Sequence, residues 1–211
     1  MAKQNRAFSV SNVLSKKFDL LDFQGEFKAS LGRPERAFSA IIFGRSGSGK
    51  SSFSMQWARQ LTNFGTVAYN LLEEGISHTT QMNIERNFME TVANSVVLLN
   101  REHPMETLDR MVKPKSPSFY FFDSVQYAQI TFAQYKKIKE TAQAKKKGLI
   151  WVSHAKGKEP KGALADAIRY DVDLKIYVEG YRAFPEGRLN EGGEPFTIWH
   201  EAAAKYWKEI I

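Results

Sequence analysis

Cysteine is absent from the 211-residue chain, and long apolar runs are absent as well. Without cysteine the protein forms no disulfide bond and uses neither thiolate catalysis nor cysteine-ligated zinc. No apolar run approaches the ~20 residues that a helix needs to cross a bilayer. The first ten residues also lack the apolar core of a secretory signal. We therefore expect a cytoplasmic protein with no membrane-bound part.

Internal repeats and low-complexity tracts are lacking too. A length of 211 residues suits one α/β domain, and a hydrophobic content of 43% suffices for a core. Residues 1–36 are polar and mixed, and we interpret them as an N-terminal extension that packs on this domain or on a neighbouring subunit. Residues 37–211 form the domain itself.

Basic residues outnumber acidic ones, which gives a net charge of +7 and a pI of about 9.5. Such a balance favours polyanionic partners. The lysines are clustered in two segments, 136–147 and 156–161. For the first segment, a solvated helix face is an equally good explanation. The clusters consist of Lys136, Lys137, Lys139, Lys145, Lys146 and Lys147, and then of Lys156, Lys158 and Lys161.

From residue 37 onward, apolar runs alternate with segments of helical periodicity. This alternation predicts an α/β fold with a mostly parallel central sheet flanked by helices. A C-terminal β-hairpin is predicted between 181–185 and 196–199, on either side of a glycine-rich turn. The predicted strands are 37–43, 66–72, 95–99, 118–122, 148–153 and 172–178, and the predicted helices are 50–62, 76–93, 103–112 and 131–147.

Residues 44–51 match G-x-x-x-x-G-K-[ST], the pattern of a phosphate-binding loop. Its glycines let the backbone curl so that amide groups point at phosphate oxygens. Lys50 can reach the β- and γ-phosphates, and the Ser51 hydroxyl can ligate Mg²⁺. The loop stands between a predicted strand and a predicted helix, as phosphate binding requires. The candidate phosphate-binding residues are Gly44, Arg45, Ser46, Gly47, Ser48, Gly49, Lys50, Ser51 and Ser52.

Carboxylates follow two further predicted strands. Asp123 ends the apolar run 118–122, an arrangement in which an aspartate holds the Mg²⁺ shell, in part through water. Glu73 and Glu74 follow the strand 66–72, and we prefer Glu73 as the general base that polarises the attacking water. As alternatives, Asp123 caps a turn, and the two glutamates begin the next helix and complement its dipole.

His154 follows the predicted strand 148–153 and precedes a basic, glycine-containing loop, 155–162. A polar group at this strand end can sense the γ-phosphate and pass its loss to the loop. Lys156, Lys158 and Lys161 can contact nucleic-acid phosphates, which gives salt-sensitive binding without sequence preference. The alternative for His154 is a surface or capping residue.

Together these motifs resemble the RecA superfamily and, within it, the RadA/Sms, KaiC and DnaB-like branch. The resemblance extends over about 37–200. Residues 44–51 resemble the Walker A loop, 69–75 resemble the strand that carries the family's catalytic glutamate, and 122–126 resemble the "IDSIQ" form of Walker B that RadA has. The later segments 153–156, 162–166, 170–173 and 177–180 follow the order seen in RadA.

The resemblance implies a RecA-like P-loop NTPase core that hydrolyses ATP with Mg²⁺. In this family, residues at the matching positions would hold phosphate and metal (Lys50, Ser51, Asp123), activate water (Glu73) and sense the γ-phosphate (His154). Segments 126–131 and 155–162 would correspond to two DNA-binding loops. The chain has no counterpart of the four-cysteine zinc motif of RadA, and the resemblance leaves helicase activity open.

Family members form hexamers or filaments with ATP between subunits, which implies self-association here. In RadA, a "KNRFG" motif reaches the nucleotide of a neighbouring subunit. Its nearest match in this chain, 187–193, is degenerate, and it makes Arg188 the candidate for that trans-acting role. A solvated arginine in a turn is the alternative.

The first functional hypothesis is an ATP-dependent, DNA-binding ATPase that acts in replication, recombination or repair, with single-stranded DNA and replication or recombination proteins as partners. A second is a KaiC-like regulatory or scaffolding ATPase that binds no DNA. A third, a small-molecule kinase, is disfavoured because the sequence shows no arginine-rich lid segment and because a glutamate stands at the strand end.

Overall fold

The fold is built on one mixed sheet, seen in a computed structural model that describes residues 7–187 and 191–208. The strands are β1 (Ser39–Gly44), β2 (Val67–Leu71), β3 (Val96–Asn100), β4 (Phe119–Asp123), β5 (Gly148–Lys156), β6 (Glu159–Pro160), β7 (Leu174–Glu179), β8 (Arg182–Gly187) and β9 (Phe196–Thr197). The sheet order is β3-β2-β4-β5-β1-β7-β8-β9, and β6 pairs with the end of β5. All pairings from β3 to β7 are parallel, whereas β8 and β9 add antiparallel strands at one edge.

Helices cover both faces of this sheet, so the predicted α/β class with a mostly parallel central sheet is confirmed. Residues of β1 alternate between two cores: Ile42 packs with Phe53 and Trp57 on one face, while Ile41 packs with Ile138 on the other. Burial on both faces explains why the central strands are continuous apolar runs. The helices are α1 (Val10–Leu14), α2 (Gly25–Leu31), α3 (Lys50–Leu61), α4 (His78–Arg86), α5 (Pro104–Met111), α6 (Phe132–Ala144), α7 (Ala163–Asp171) and α8 (His200–Trp207).

The prediction of a single helix over 76–93 was wrong. Helix α4 ends at Arg86, Phe88 adopts a left-handed conformation with φ of 54°, and a 3₁₀ segment follows at Met89–Ser95. A bulky residue with positive φ cannot continue an α-helix. The chain therefore changes direction at Phe88 before it enters β3.

The predicted C-terminal hairpin is present, but its strands pair over a shorter stretch than the predicted 181–185 and 196–199. Arg182 and Ala183 of β8 pair with Thr197 and Phe196 of β9. In addition, β7 and β8 form a tight hairpin whose two turn residues, Gly180 and Tyr181, have φ of 52° and 60°. Two consecutive positive φ values suit the right-handed twist of a two-residue hairpin. This turn lies beside the 44–51 loop, since the Tyr181 amide donates to the Ser48 carbonyl at 3.0 Å.

Part of the 1–36 segment contributes to the main core. Leu21, Phe23 and Leu31 are fully or almost fully buried in the same apolar cluster as α3. Leu20 forms an isolated antiparallel bridge with Glu35. By contrast, α1 contains no buried residue. Across the described residues, no helix is long and apolar enough to cross a membrane.

Candidate functional site

The candidate site lies at the carboxyl edge of the sheet, where β2, β4, β5 and β1 are consecutive neighbours. Parallel register places Gly44 opposite His154 and Leu71 opposite Asp123. The Glu73 amide then donates to the Asp123 carbonyl at 3.0 Å, which joins the ends of β2 and β4. One cavity of about 230 Å³ brings together eight of the sequence-predicted residues: Ser46, Gly47, Lys50, Ser51, Glu73, Glu74, Asp123 and His154.

The 44–51 segment leaves β1, turns through residues 45–49 and enters α3 at Lys50. Gly49 has φ of 102°, a conformation that disfavours any side chain. Gly44 allows β7 to approach closely, because a Cβ there would stand 2.2 Å from the Val178 carbonyl oxygen. The loop therefore presents the first amide groups of a 12-residue helix, an arrangement that attracts anions.

Lys50 is the cation of this site. Its Nζ donates to the Arg45 carbonyl at 2.9 Å, within its own loop. Burial lowers the pKa of Lys50, and the nearby carboxylates of Asp123 and Glu73 partly oppose that shift. An ammonium that has lost part of its hydration interacts more strongly with a bound anion.

Glu73 is held by two side chains that follow other strands. Ser124 Oγ donates to Glu73 Oε2 at 2.7 Å, and His154 Nε2 lies 2.8 Å from the same oxygen. An ionised carboxylate only accepts hydrogen bonds, so His154 carries its proton on Nε2 in this contact. The pair gives the predicted base and the predicted sensor a direct contact.

Asp123 is a partly buried carboxylate beneath the loop. Its pKa is raised to about 6, chiefly by burial, and the negative charge of Glu73 contributes to the rise. Two groups act in the opposite direction: the Tyr69 hydroxyl, which donates to Asp123 Oδ2 at 2.9 Å, and the charge of Lys50. Sequence reasoning missed Tyr69, although a buried tyrosine hydroxyl normally has a partner.

The described residues fit a bound Mg²⁺ at this edge. They include no cluster of three or more histidine, aspartate or glutamate side chains able to form an all-protein metal cage. Mg²⁺ is commonly held by one or two protein oxygens together with phosphate and water. The Ser51 hydroxyl and the Asp123 carboxylate line one cavity with Lys50 and match that requirement.

A larger cavity of about 600 Å³ also lies against the loop. It shares Lys50 and Ser51 with the smaller cavity, and its lining also includes Ser52 and the aromatic side chains of Tyr181 and Trp199. Tyr181 and Trp199 meet edge to face with ring centroids 5.6 Å apart, and Trp199 is 49% exposed. These two rings were not predicted, since their segments carry no motif. Arg86 and Phe88 also line this cavity and do not line the smaller one.

The basic segment 155–162 is a small hairpin rather than a loop throughout, because β5 continues to Lys156 and pairs with β6. Lys156, Lys158 and Lys161 are all exposed there. Gln126, which follows Asp123 by three residues, donates to the Lys161 carbonyl at 2.7 Å and accepts from the His154 amide at 3.1 Å. The hairpin is thereby attached to both strand ends of the site.

Of the other predicted site residues, those that the structure describes lie at different distances from this site. Glu74 is exposed and lines both cavities, so it is near the site without the contacts that Glu73 makes. The 126–131 segment forms a short 3₁₀ turn, Val125–Tyr127, and then leads into α6. Arg188 lies outside the described residues.

The comparisons with known proteins give no assignment. No protein-family model matches the chain, and no curated protein matches it significantly. Any functional conclusion therefore rests on the residues and geometry described above.

Proposed function

We propose that the protein is a RecA-like P-loop ATPase that hydrolyses Mg²⁺-bound ATP and couples this to single-stranded DNA in replication, recombination or repair. One observation carries the proposal: Lys50 and Ser51 at the start of α3 line a single cavity with three carboxylates and a histidine that lie at the ends of neighbouring strands. The 44–51 motif and this setting together match the requirements of phosphate binding. Carboxyl ends of parallel strands are the usual place for such ligands.

Under this proposal, Lys50, Ser51, Glu73, Asp123 and His154 each have a chemical role. Loop amides and Lys50 bind the phosphates, and Ser51 and Asp123 would hold Mg²⁺. The metal, when bound, supplies positive charge to the phosphate oxygens. Glu73 accepts a proton from the attacking water, and Lys50 offsets negative charge that develops during transfer. His154 keeps Glu73 oriented and lies next to the hairpin that follows it.

The larger cavity is suited to the nucleoside part of the substrate. It begins at the loop, where the phosphates would lie, and ends at the Tyr181 and Trp199 rings. Aromatic faces bind flat heterocycles by stacking, and a mostly apolar pocket of this size can bury a base and sugar.

The DNA part of the proposal depends on the 155–162 hairpin. Lys156, Lys158 and Lys161 are exposed on it, and Gln126 attaches it to the His154 backbone. A polyanion that moves this hairpin would therefore move the histidine that holds Glu73. This connection favours a DNA-coupled ATPase over a regulatory ATPase without DNA.

Self-association into a ring or filament belongs to the same proposal. Among the described residues that line the smaller cavity, Lys50 is the only lysine and no arginine is present. Hydrolysis of ATP commonly uses a second cation at the γ-phosphate. A neighbouring copy would supply it, and Arg188 remains the candidate from the sequence.

Steady-state ATPase assays with and without single-stranded DNA test the proposal, with native mass measurement of the assembled state in ATP. Lys50→Ala should lose nucleotide binding and hydrolysis, whereas Glu73→Gln should bind nucleotide and hydrolyse it at least roughly a hundredfold more slowly. Lys145→Ala, an exposed lysine after α6, serves as the matched control. Normal hydrolysis by Lys50→Ala would refute the site, and absence of DNA binding at low salt would refute the DNA part.

A further inference from the structure

We infer that Tyr69 is a positioning residue, whose hydroxyl fixes the Asp123 carboxylate so that one of its oxygens is reserved for Mg²⁺. This inference rests on the proposed function. Tyr69 lies in the middle of β2 and is fully buried, and its hydroxyl contacts the candidate site. Its ring stacks on Phe121 of β4, with centroids 5.1 Å apart and planes 11° from parallel. The ring therefore belongs to the core, while the hydroxyl belongs to the site.

The hydroxyl joins two elements that both contribute to phosphate and metal binding. Tyr69 Oη lies 2.9 Å from Asp123 Oδ2 and 2.6 Å from Ser54 Oγ. Ser54 is fully buried on α3, one turn after Ser51, and its Oγ also lies 3.0 Å from the Ser51 carbonyl. A continuous set of contacts thus runs from the helix that follows the glycine-rich loop to the carboxylate at the end of β4.

Each of the two hydroxyls has one proton, and this determines which group donates in each hydrogen bond. A tyrosine hydroxyl carries its one proton at neutral pH. A carboxylate only accepts, so the Tyr69 proton points to Asp123. The single Ser54 proton is shared between the Tyr69 oxygen at 2.6 Å and the Ser51 carbonyl at 3.0 Å, and the 2.6 Å contact is a hydrogen bond only when that proton points to Tyr69. In that arrangement both hydroxyl protons point toward Asp123.

This arrangement leaves the two carboxylate oxygens with different tasks. Oδ2 accepts from Tyr69, and Oδ1 is left for Mg²⁺ or a water that the metal binds. A hydrogen bond to a charged group orients it more strongly than one between neutral groups. Without the Tyr69 hydroxyl, Asp123 loses its fixed rotamer, and metal binding has to order it again.

The test compares two tyrosines that make the same type of bond in different places. Tyr69→Phe removes only the hydroxyl and keeps the stacked ring. Tyr135→Phe is the matched control, since Tyr135 is also buried and its hydroxyl donates to a carboxylate, that of Asp171, at 2.9 Å. The readout is the affinity for a fluorescent ATP analogue, measured once with Mg²⁺ and once with EDTA, together with the Mg²⁺ concentration at half-maximal binding.

Tyr69→Phe should weaken Mg²⁺-dependent binding about tenfold and raise the half-maximal Mg²⁺ concentration by about the same factor. Binding in EDTA should match the wild type, and Tyr135→Phe should match it in both conditions. Ser54→Ala, which removes the donor to Tyr69, should shift the Mg²⁺ requirement in the same direction and provides the test if Tyr69→Phe does not fold.

An unchanged Mg²⁺ requirement in folded Tyr69→Phe or Ser54→Ala overturns the inference. An equal loss of affinity with Mg²⁺ and with EDTA also overturns it, because that outcome indicates a general structural effect. Failure of the proposed function is distinguishable, since the wild-type protein would then bind no nucleotide in either condition.

Discussion

Asp171, the last residue of α7, is a carboxylate outside the candidate site that accepts several side-chain hydrogen bonds. Its oxygens accept from Tyr135 Oη at 2.9 Å, Lys136 Nζ at 2.9 Å and Lys139 Nζ at 2.8 Å. Burial alone would raise the pKa of Asp171, but hydrogen bonds from Lys139, Lys136 and Tyr135 outweigh it and lower the pKa to about 2. Lys139 is only 7% exposed, and its ammonium pairs with this carboxylate. The cluster joins α6 to α7.

Replacing Asp171 should make the free energy of unfolding depend less on pH in the acid range. The folded pKa lies below the ordinary value of 3.8, so the ionised group stabilises the fold above about pH 4, and this contribution disappears as pH falls through about 2. The shift corresponds to about 2 kcal/mol. Asp171→Asn should therefore unfold at lower urea concentration at pH 7 and approach the wild type near pH 2. Asp109→Asn, at an exposed position on α5, should leave the profile unchanged. Parallel pH profiles for Asp171→Asn and wild type would contradict the assignment.

Among the helices and strands, those that are buried along their whole length were predicted best from the sequence. The central strands are apolar because both faces of the sheet are covered. Polar residues follow these strands in the sequence, and this pattern was enough to predict that Asp123, Glu73 and His154 lie together, as they do in one cavity. Helix α7 escaped prediction because only two of its nine residues, Ala165 and Ile168, are buried. A stripe this narrow produces little periodic signal.

Contacts that depend on tertiary geometry left no pattern in the sequence. The turn at Phe88 and the cis peptide bond between Asp123 and Ser124 have no sequence signal, since neither involves glycine or proline. Tyr69 reads as an ordinary core residue of a strand, because its partners Ser54 and Asp123 are far from it along the chain. Side-chain partnerships within the site are therefore what the structure adds to the motifs.

Adding even a methyl group at Gly44, where β1 pairs with β7, should strongly destabilise the fold. Gly44→Ala would place a Cβ 2.2 Å from the Val178 carbonyl oxygen, a backbone atom of β7 that can move only with its strand. We expect a loss of about 3 kcal/mol in the free energy of unfolding, measured by urea titration. Gly157→Ala is the comparison, because its φ of 65° is unfavourable but nothing lies within 4 Å of the new Cβ. That change should cost about 1 kcal/mol. Equal losses would show that the approach of β7 to Gly44 does not limit stability.

For the binding of a polyanion to the whole molecule, the positions of the positive charges matter more than the net charge. The net charge is +7, but β5 separates two groups of exposed lysines. Lys145 and Lys146 precede its first residue, whereas Lys156 ends it and Lys158 and Lys161 follow. A nine-residue strand spans about 30 Å, well beyond the screening length of about 8 Å at physiological salt. The two groups therefore act on a polyanion as separate surfaces.

The last prediction uses this separation to distinguish a DNA site from general basicity. Lys156, Lys158 and Lys161, changed together to Gln, should reduce the slope of log affinity against log salt concentration by about 2, since each phosphate contact to single-stranded DNA contributes about 0.7. A second triple variant, Lys137→Gln with Lys145→Gln and Lys146→Gln, removes the same charge elsewhere and should keep the wild-type slope. Fluorescence polarisation with a labelled oligo-dT between 50 and 200 mM salt measures both. If both triple variants lose the same slope, net charge rather than the hairpin determines binding.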